Sequence, residues 1–123
     1  MASEHQIQSA FFALAAKLSE ITWYRDLRYM FAIPNGGARN IVTGAMLKRE
    51  GVKKGVPDVF LPIPRGQHHG MFIEFKTPKG KVSKEQQEYL EYLADRGYYC
   101  VVSFGAAAAL EAVKWYLDQD NDQ

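Results

Sequence analysis

Asp58, Glu74 and Lys76 are ionisable residues set inside "PDVFLPI" and "MFIEFK", two stretches that otherwise read as buried β-strands. Charges beside a core are costly unless something compensates them. Two carboxylates brought together repel, and each has its pKa raised unless a cation is shared. Lys76 supplies one positive charge. A divalent ion would supply more, and Mg²⁺ takes hard oxygen ligands such as carboxylates, backbone carbonyls and water. The backbone carbonyl of Phe75, between Glu74 and Lys76, is a further oxygen of that kind. The other reading is an internal salt-bridge cluster of the two acids with the lysine. If a metal is held, it can acidify a coordinated water and polarise a phosphoryl oxygen. A lysine with an ordinary pKa of about 10.4 then serves as an electrostatic stabiliser rather than a free base, unless burial depresses it.

Positioning these groups needs a hairpin. "RGQHHG" is the turn-like stretch between the two strands, and a turn near Arg65-Gly66-Gln67 brings Asp58 opposite residues 74 to 76. Alternation then points Met71, Ile73 and Phe75 one way, and Phe72, Glu74 and Lys76 the other. The spacing predicts a first helix over "SEHQIQSAFFALAAKLSE", with Ile7, Phe11, Leu14 and Leu18 as its apolar stripe and Glu4 continuing it. "YMFAI" reads as a short strand ended by "PNGG", and Asn40 as the cap of a helix over "IVTGAMLKRE" that stops at Gly51.

Ser83 and Gln86 have the spacing of a capping box. They open a helix that ends at Gly97, and Gln86 falls on its inward face with Leu90 and Leu93. "YYCVVSF" reads as a strand covered on both faces, parallel to its neighbour because it follows a helical crossover. A last helix carries Ala106, Leu110, Val113 and Leu117, before a tail from about 119 to 123 that is expected to fray. The order α-β-α-β-β-α-β-α implies one α/β domain over residues 1–123. Its centre is a mixed sheet of about four strands flanked by helices.

Composition is ordinary for a globular domain, at 47% hydrophobic and 24% charged residues. There is neither a basic-then-apolar signal segment nor an apolar run of membrane-spanning length, so a cytoplasmic protein is expected. Cys100, the single cysteine, reads as a buried free thiol. It can form neither an internal disulfide nor a cysteine zinc site. The net charge of +1 conceals a gradient: residues 39–86 carry ten basic and four acidic groups, residues 87–123 two and seven. The middle third is therefore a candidate anion-facing surface. Arg39, Lys48, Arg49, Lys53 and Lys54 precede the acid cluster, and Lys79, Lys81 and Lys84 follow it. The adjacent His68 and His69 read as loop residues rather than metal ligands. Trp23, Tyr24, Trp115 and Tyr116 are more large aromatics than a small core easily hides.

"GVPDVFLP", "FIEFK" and "KGKVSKEQ", with "SEHQIQ" upstream and "IPNGGARN…GAMLKREGVKKGVPD" between, resemble the PD-(D/E)xK nuclease superfamily. Within it they resemble the VRR-NUC (virus-type replication-repair nuclease) domain, in the stand-alone form found in phage and prophage genomes. The resemblance implies a restriction-endonuclease-like fold. It also implies Mg²⁺- or Mn²⁺-dependent hydrolysis of DNA phosphodiesters, selective for four-way junctions or flaps, by a homodimer in bacterial or phage-infected cytoplasm. No organic cofactor and no membrane are implied. Residue by residue, it makes Asp58, Glu74 and the Phe75 carbonyl metal ligands, joined by Glu4, which matches the acid of the N-terminal helix. Lys76 becomes the lysine of ExK, and Gln86 the glutamine that follows it. In part of the superfamily that glutamine belongs to a QxxxY motif, whose aromatic position holds Leu90 here. A catalytically silent nucleic-acid-binding module of the same fold is the alternative.

Overall fold

A computed structural model describes residues 2–34 and 41–119, apart from the side chains of 41–43. The expected Asn40 cap, Arg39 and the tail beyond Gln119 lie outside the described residues. In chain order the elements are α1 (Glu4–Leu18), a 3-10 segment (Thr22–Tyr29), β1 (Phe31–Ala32), α2 (Ile41–Arg49), β2 (Val59–Leu61), β3 (Met71–Phe75), α3 (Lys84–Asp95), β4 (Tyr99–Ser103) and α4 (Ala106–Leu117). The strands form one sheet in the order β1-β2-β3-β4. β1/β2 and β2/β3 are antiparallel and β3/β4 parallel, as the crossover through α3 requires. Among the described residues, no helix is long and apolar enough to cross a membrane.

One face of the sheet carries the core. Val59, Leu61, Met71, Ile73 and Phe75 are fully buried against Phe11 of α1 and Ala109, Val113 and Tyr116 of α4. The buried stripe of α1 is Ile7, Phe11 and Ala15, while Leu14 stays 40% exposed. The step of four from Phe11 to Ala15 lets α1 lie close on the sheet, where a leucine would hold it off. On α4 the buried set is Ala109, Val113, Tyr116 and Leu117; Ala106 and Leu110 are only partly buried. Tyr116 fits in the core because its hydroxyl donates to the Ile63 carbonyl at 2.6 Å.

β4 is an edge strand whose first four residues are half-buried, so the expected double cover is absent. The Cys100 thiol is nevertheless buried enough to be pushed up to about 11. The 3-10 segment was not anticipated. It is pinned to the end of α4 where Trp23 Nε1 and Tyr24 OH both donate to Asp118 Oδ1, at 3.0 and 2.8 Å. The hairpin closes with Arg65 and His68 bonded to each other through their backbones. His68 packs on the Tyr99 and Tyr116 rings and His69 on Tyr98, so both work as packing residues.

The segment leading into β2 is held against α3 at Gly55, which has φ +93. A Cβ there would meet the backbone carbon of Glu85 at 2.6 Å. Gly55→Ala is expected to cost about 2 kcal/mol or more in urea unfolding, from left-handed strain plus the clash. Gly44→Ala, in α2 with open space around a Cβ, should stabilise by about 0.5–1 kcal/mol.

Candidate active site

Four chain segments meet at the end of the β2/β3 hairpin: α1, the approach to β2, the end of β3 and the start of α3. The antiparallel register pairs Phe60 with Phe72 and Val59 with Ile73. One residue further on, Asp58 and Glu74 emerge side by side on the face away from the core. Asp58 is locked by its own backbone and side chain: its N–H donates to the Ile73 carbonyl at 3.0 Å, and its Oδ2 accepts the Phe75 N–H at 2.7 Å. Glu74 is 1% exposed and Lys76 6% exposed, which is unusual for ionisable groups.

The compensation for these charges is partial. Lys76 Nζ lies 3.8 Å from Glu74 Oε2 and 3.9 Å from Glu4 Oε2. A pair near 4 Å is worth about 4 kcal/mol at an effective dielectric of 20. Stripping water from the two ions costs several kcal/mol for each. Burial wins. It pushes Glu74 up to about 8, aided by the neighbouring Asp58 charge and opposed by Lys76. Gln86 Nε2 donates to Glu74 Oε2 at 3.0 Å, while Glu74 Oε1 is buried and takes no hydrogen bond from a donor among the described residues.

Around this cluster opens a cleft of about 700 Å³, whose lining includes Glu4, Asp58, Glu74 and Gln86 together with Lys48, Lys53 and Lys54. Glu4, Asp58, Glu74, Lys76 and Gln86 are therefore brought together, and three of the predicted basic residues share the cleft. Arg49, Lys79 and Lys81 are exposed but do not line it, and Lys54 is 4.0 Å from Glu85. The apolar part of the cleft, Leu47, Val52 and Val56, was not anticipated. Its only sequence signal is three aliphatic residues scattered among "LKREGVKKGV".

Among the described residues, no three Asp, Glu, His or Cys side chains form a metal-holding group. Two carboxylates do converge, one of them with a buried oxygen that no described donor reaches, and all the donors are hard oxygens. That set fits a divalent ion completing its shell with a backbone carbonyl and water.

A carboxyl whose pKa is higher folded than unfolded binds its proton more tightly in the folded state. Stability of the metal-free chain therefore falls as pH rises from about 4.5 to about 8. Urea unfolding across that window should show a slope of up to about 1.4 kcal/mol per pH unit, flattened in Glu74→Gln.

A solved structure described as a VRR_NUC domain protein superposes with a TM-score of 0.80 at 26% identity, covering 98% of this chain and 93% of that one. Comparison with curated proteins gave no match. The VRR-NUC domain profile matches residues 4–107, a span that takes in every side chain of the cluster, and the chain belongs to the VRR-NUC family.

Proposed function

We propose that the protein is a Mg²⁺- or Mn²⁺-dependent deoxyribonuclease that hydrolyses phosphodiester bonds in branched DNA, four-way junctions or flaps, as a homodimer. The observation that carries the reading is the convergence of Asp58 and Glu74 in the lining of a cleft that Lys48, Lys53 and Lys54 also line, with Lys76 beside Glu74. Asp58, Glu74 and the Phe75 carbonyl would hold the ion. When bound, the ion acidifies a water and polarises a phosphoryl oxygen.

The chain's own residues do the rest. Glu4 and Glu74 hold the Lys76 ammonium between them, so it presents a fixed positive charge where charge develops on the phosphoryl oxygens. In this reading Glu4 serves Lys76 and not the ion. Gln86 keeps the Glu74 carboxylate from turning. Water adds to phosphorus as the bond to the leaving oxygen breaks; the water's proton passes to solvent, and a solvent proton restores the leaving hydroxyl. Lys48, Lys53 and Lys54 contact phosphates, which position a substrate without reading its bases. Branched-DNA preference and the homodimer rest on the family resemblance, since two sites are needed to nick a junction symmetrically.

Cleavage of labelled four-way junction, flap and linear duplex with Mn²⁺ tests the proposal. Metal-dependent cutting is expected, reduced at least about a hundredfold in Glu74→Ala and in Lys76→Met. Tight junction binding without cutting under any metal would replace it with a silent binding module. In the same assay Lys53→Ala should weaken binding uniformly across sequences. It should also make the salt dependence of log K shallower by about 0.9.

A further inference from the structure

The helix that supplies Gln86 begins with an unusual economy of hydrogen bonds. Ser83 Oγ accepts the Gln86 backbone N–H at 3.2 Å, and the Ser83 backbone N–H donates back to Gln86 Oε1 at 2.9 Å. A carboxamide carries its acceptor and its donors on two different arms of one planar group. Fixing Oε1 on Ser83 therefore fixes where Nε2 points, and it points at Glu74 Oε2, 3.0 Å away. The flipped amide would set NH₂ against N–H at the cap and an oxygen against a carboxylate at the other end. Lys76 Nζ lies 3.8 Å from that same Oε2. Both donors thus engage one oxygen of Glu74, and the other, Oε1, is buried and takes no hydrogen bond from a donor among the described residues, on a carboxyl that also faces Asp58.

We propose that the N-cap of α3 is part of the metal-site machinery: the Ser83 backbone N–H is a positioning group that sets the flip of Gln86, so that Glu74 Oε2 is engaged and Oε1 is reserved for the cation. This inference rests on the metal-dependent reading above and assigns one oxygen within it.

The opposite end of the chain supplies an internal comparison. α1 opens with the same box, in which Ser3 N–H donates to Gln6 Oε1 at 2.9 Å and Gln6 N–H to Ser3 Oγ at 3.1 Å. There the glutamine is exposed and only caps. A capping box accepts Glu as readily as Gln. At position 86 only Gln serves both ends, since a glutamate could accept from Ser83 but could offer Glu74 no donor.

Two substitutions at one position separate positioning from capping. Ser83→Ala removes the capping oxygen and keeps the N–H. Ser83→Pro removes both, and the backbone there, with φ −76, already suits proline. Mn²⁺ is titrated calorimetrically into each full-length variant, well below its unfolding temperature. Ser83→Ala should bind Mn²⁺ within about threefold of the unsubstituted chain, and Ser83→Pro about tenfold or more weakly, the range seen when a ligand's supporting partner is lost. Equal affinities for the two variants would overturn the inference. Should Ser83→Pro fail to fold, Gln86→Met takes its place: a loss of about tenfold supports the inference, and unchanged affinity overturns it. An unsubstituted chain that binds no Mn²⁺ overturns the proposed function and the inference together, whereas normal binding that is indifferent to position 83 and position 86 overturns the inference alone.

Discussion

The burial of one carboxylate beside another governs this molecule. Glu74 is held inside the sheet because β3 is an interior strand, with β2 on one side and β4 on the other. Its neighbours Ile73 and Phe75 are fully buried in the core, so the strand cannot turn to bring Glu74 into water. The antiparallel register then sets Asp58 beside it. One lysine does not balance two such groups, and a divalent ion does. The fold thus creates an electrostatic deficit at the end of the hairpin.

The surrounding elements read as supports for this arrangement. α1 gives Phe11 to the core and Glu4 to Lys76 from the same helix, so packing on one face sets the ion pair at its tip. α3 gives Gln86 to Glu74, and Gly55 lets the chain approaching Asp58 run against the backbone of α3. Lys76 N–H donates to the Ser103 carbonyl at 2.9 Å, which extends the β3/β4 ladder up to the lysine. Each charged group is therefore carried by an element whose position the core already fixes.

Much of this was legible in the sequence because periodicity is a physical signal. The period-two alternation of "MFIEFK" gave both the core face and the charged face, and "RGQHHG" located the turn. Finer packing was not legible. Leu14 and Ala15 both suit an inward position on α1, and only the distance between helix and sheet decides for the smaller residue. "YYCVVSF" is apolar enough for a double-covered strand, but its place at the sheet edge depends on topology rather than on local pattern. The 3-10 segment is held by Asp118, some 95 residues away, which no local window contains. Gln86 read either as a cap or as a site residue, and the structure has it make both sets of bonds, because a carboxamide has two ends.

The central claim is that Asp58 and Glu74 jointly take up a divalent ion at a place where Glu74 otherwise keeps its proton. Counting protons released on Mn²⁺ binding, by calorimetry at pH 7 in buffers of different ionisation enthalpy, tests it most directly. The account predicts release of close to one proton per ion, because a carboxyl at about 8 is mostly protonated at that pH. Binding with no proton release would contradict it, and so would the absence of binding.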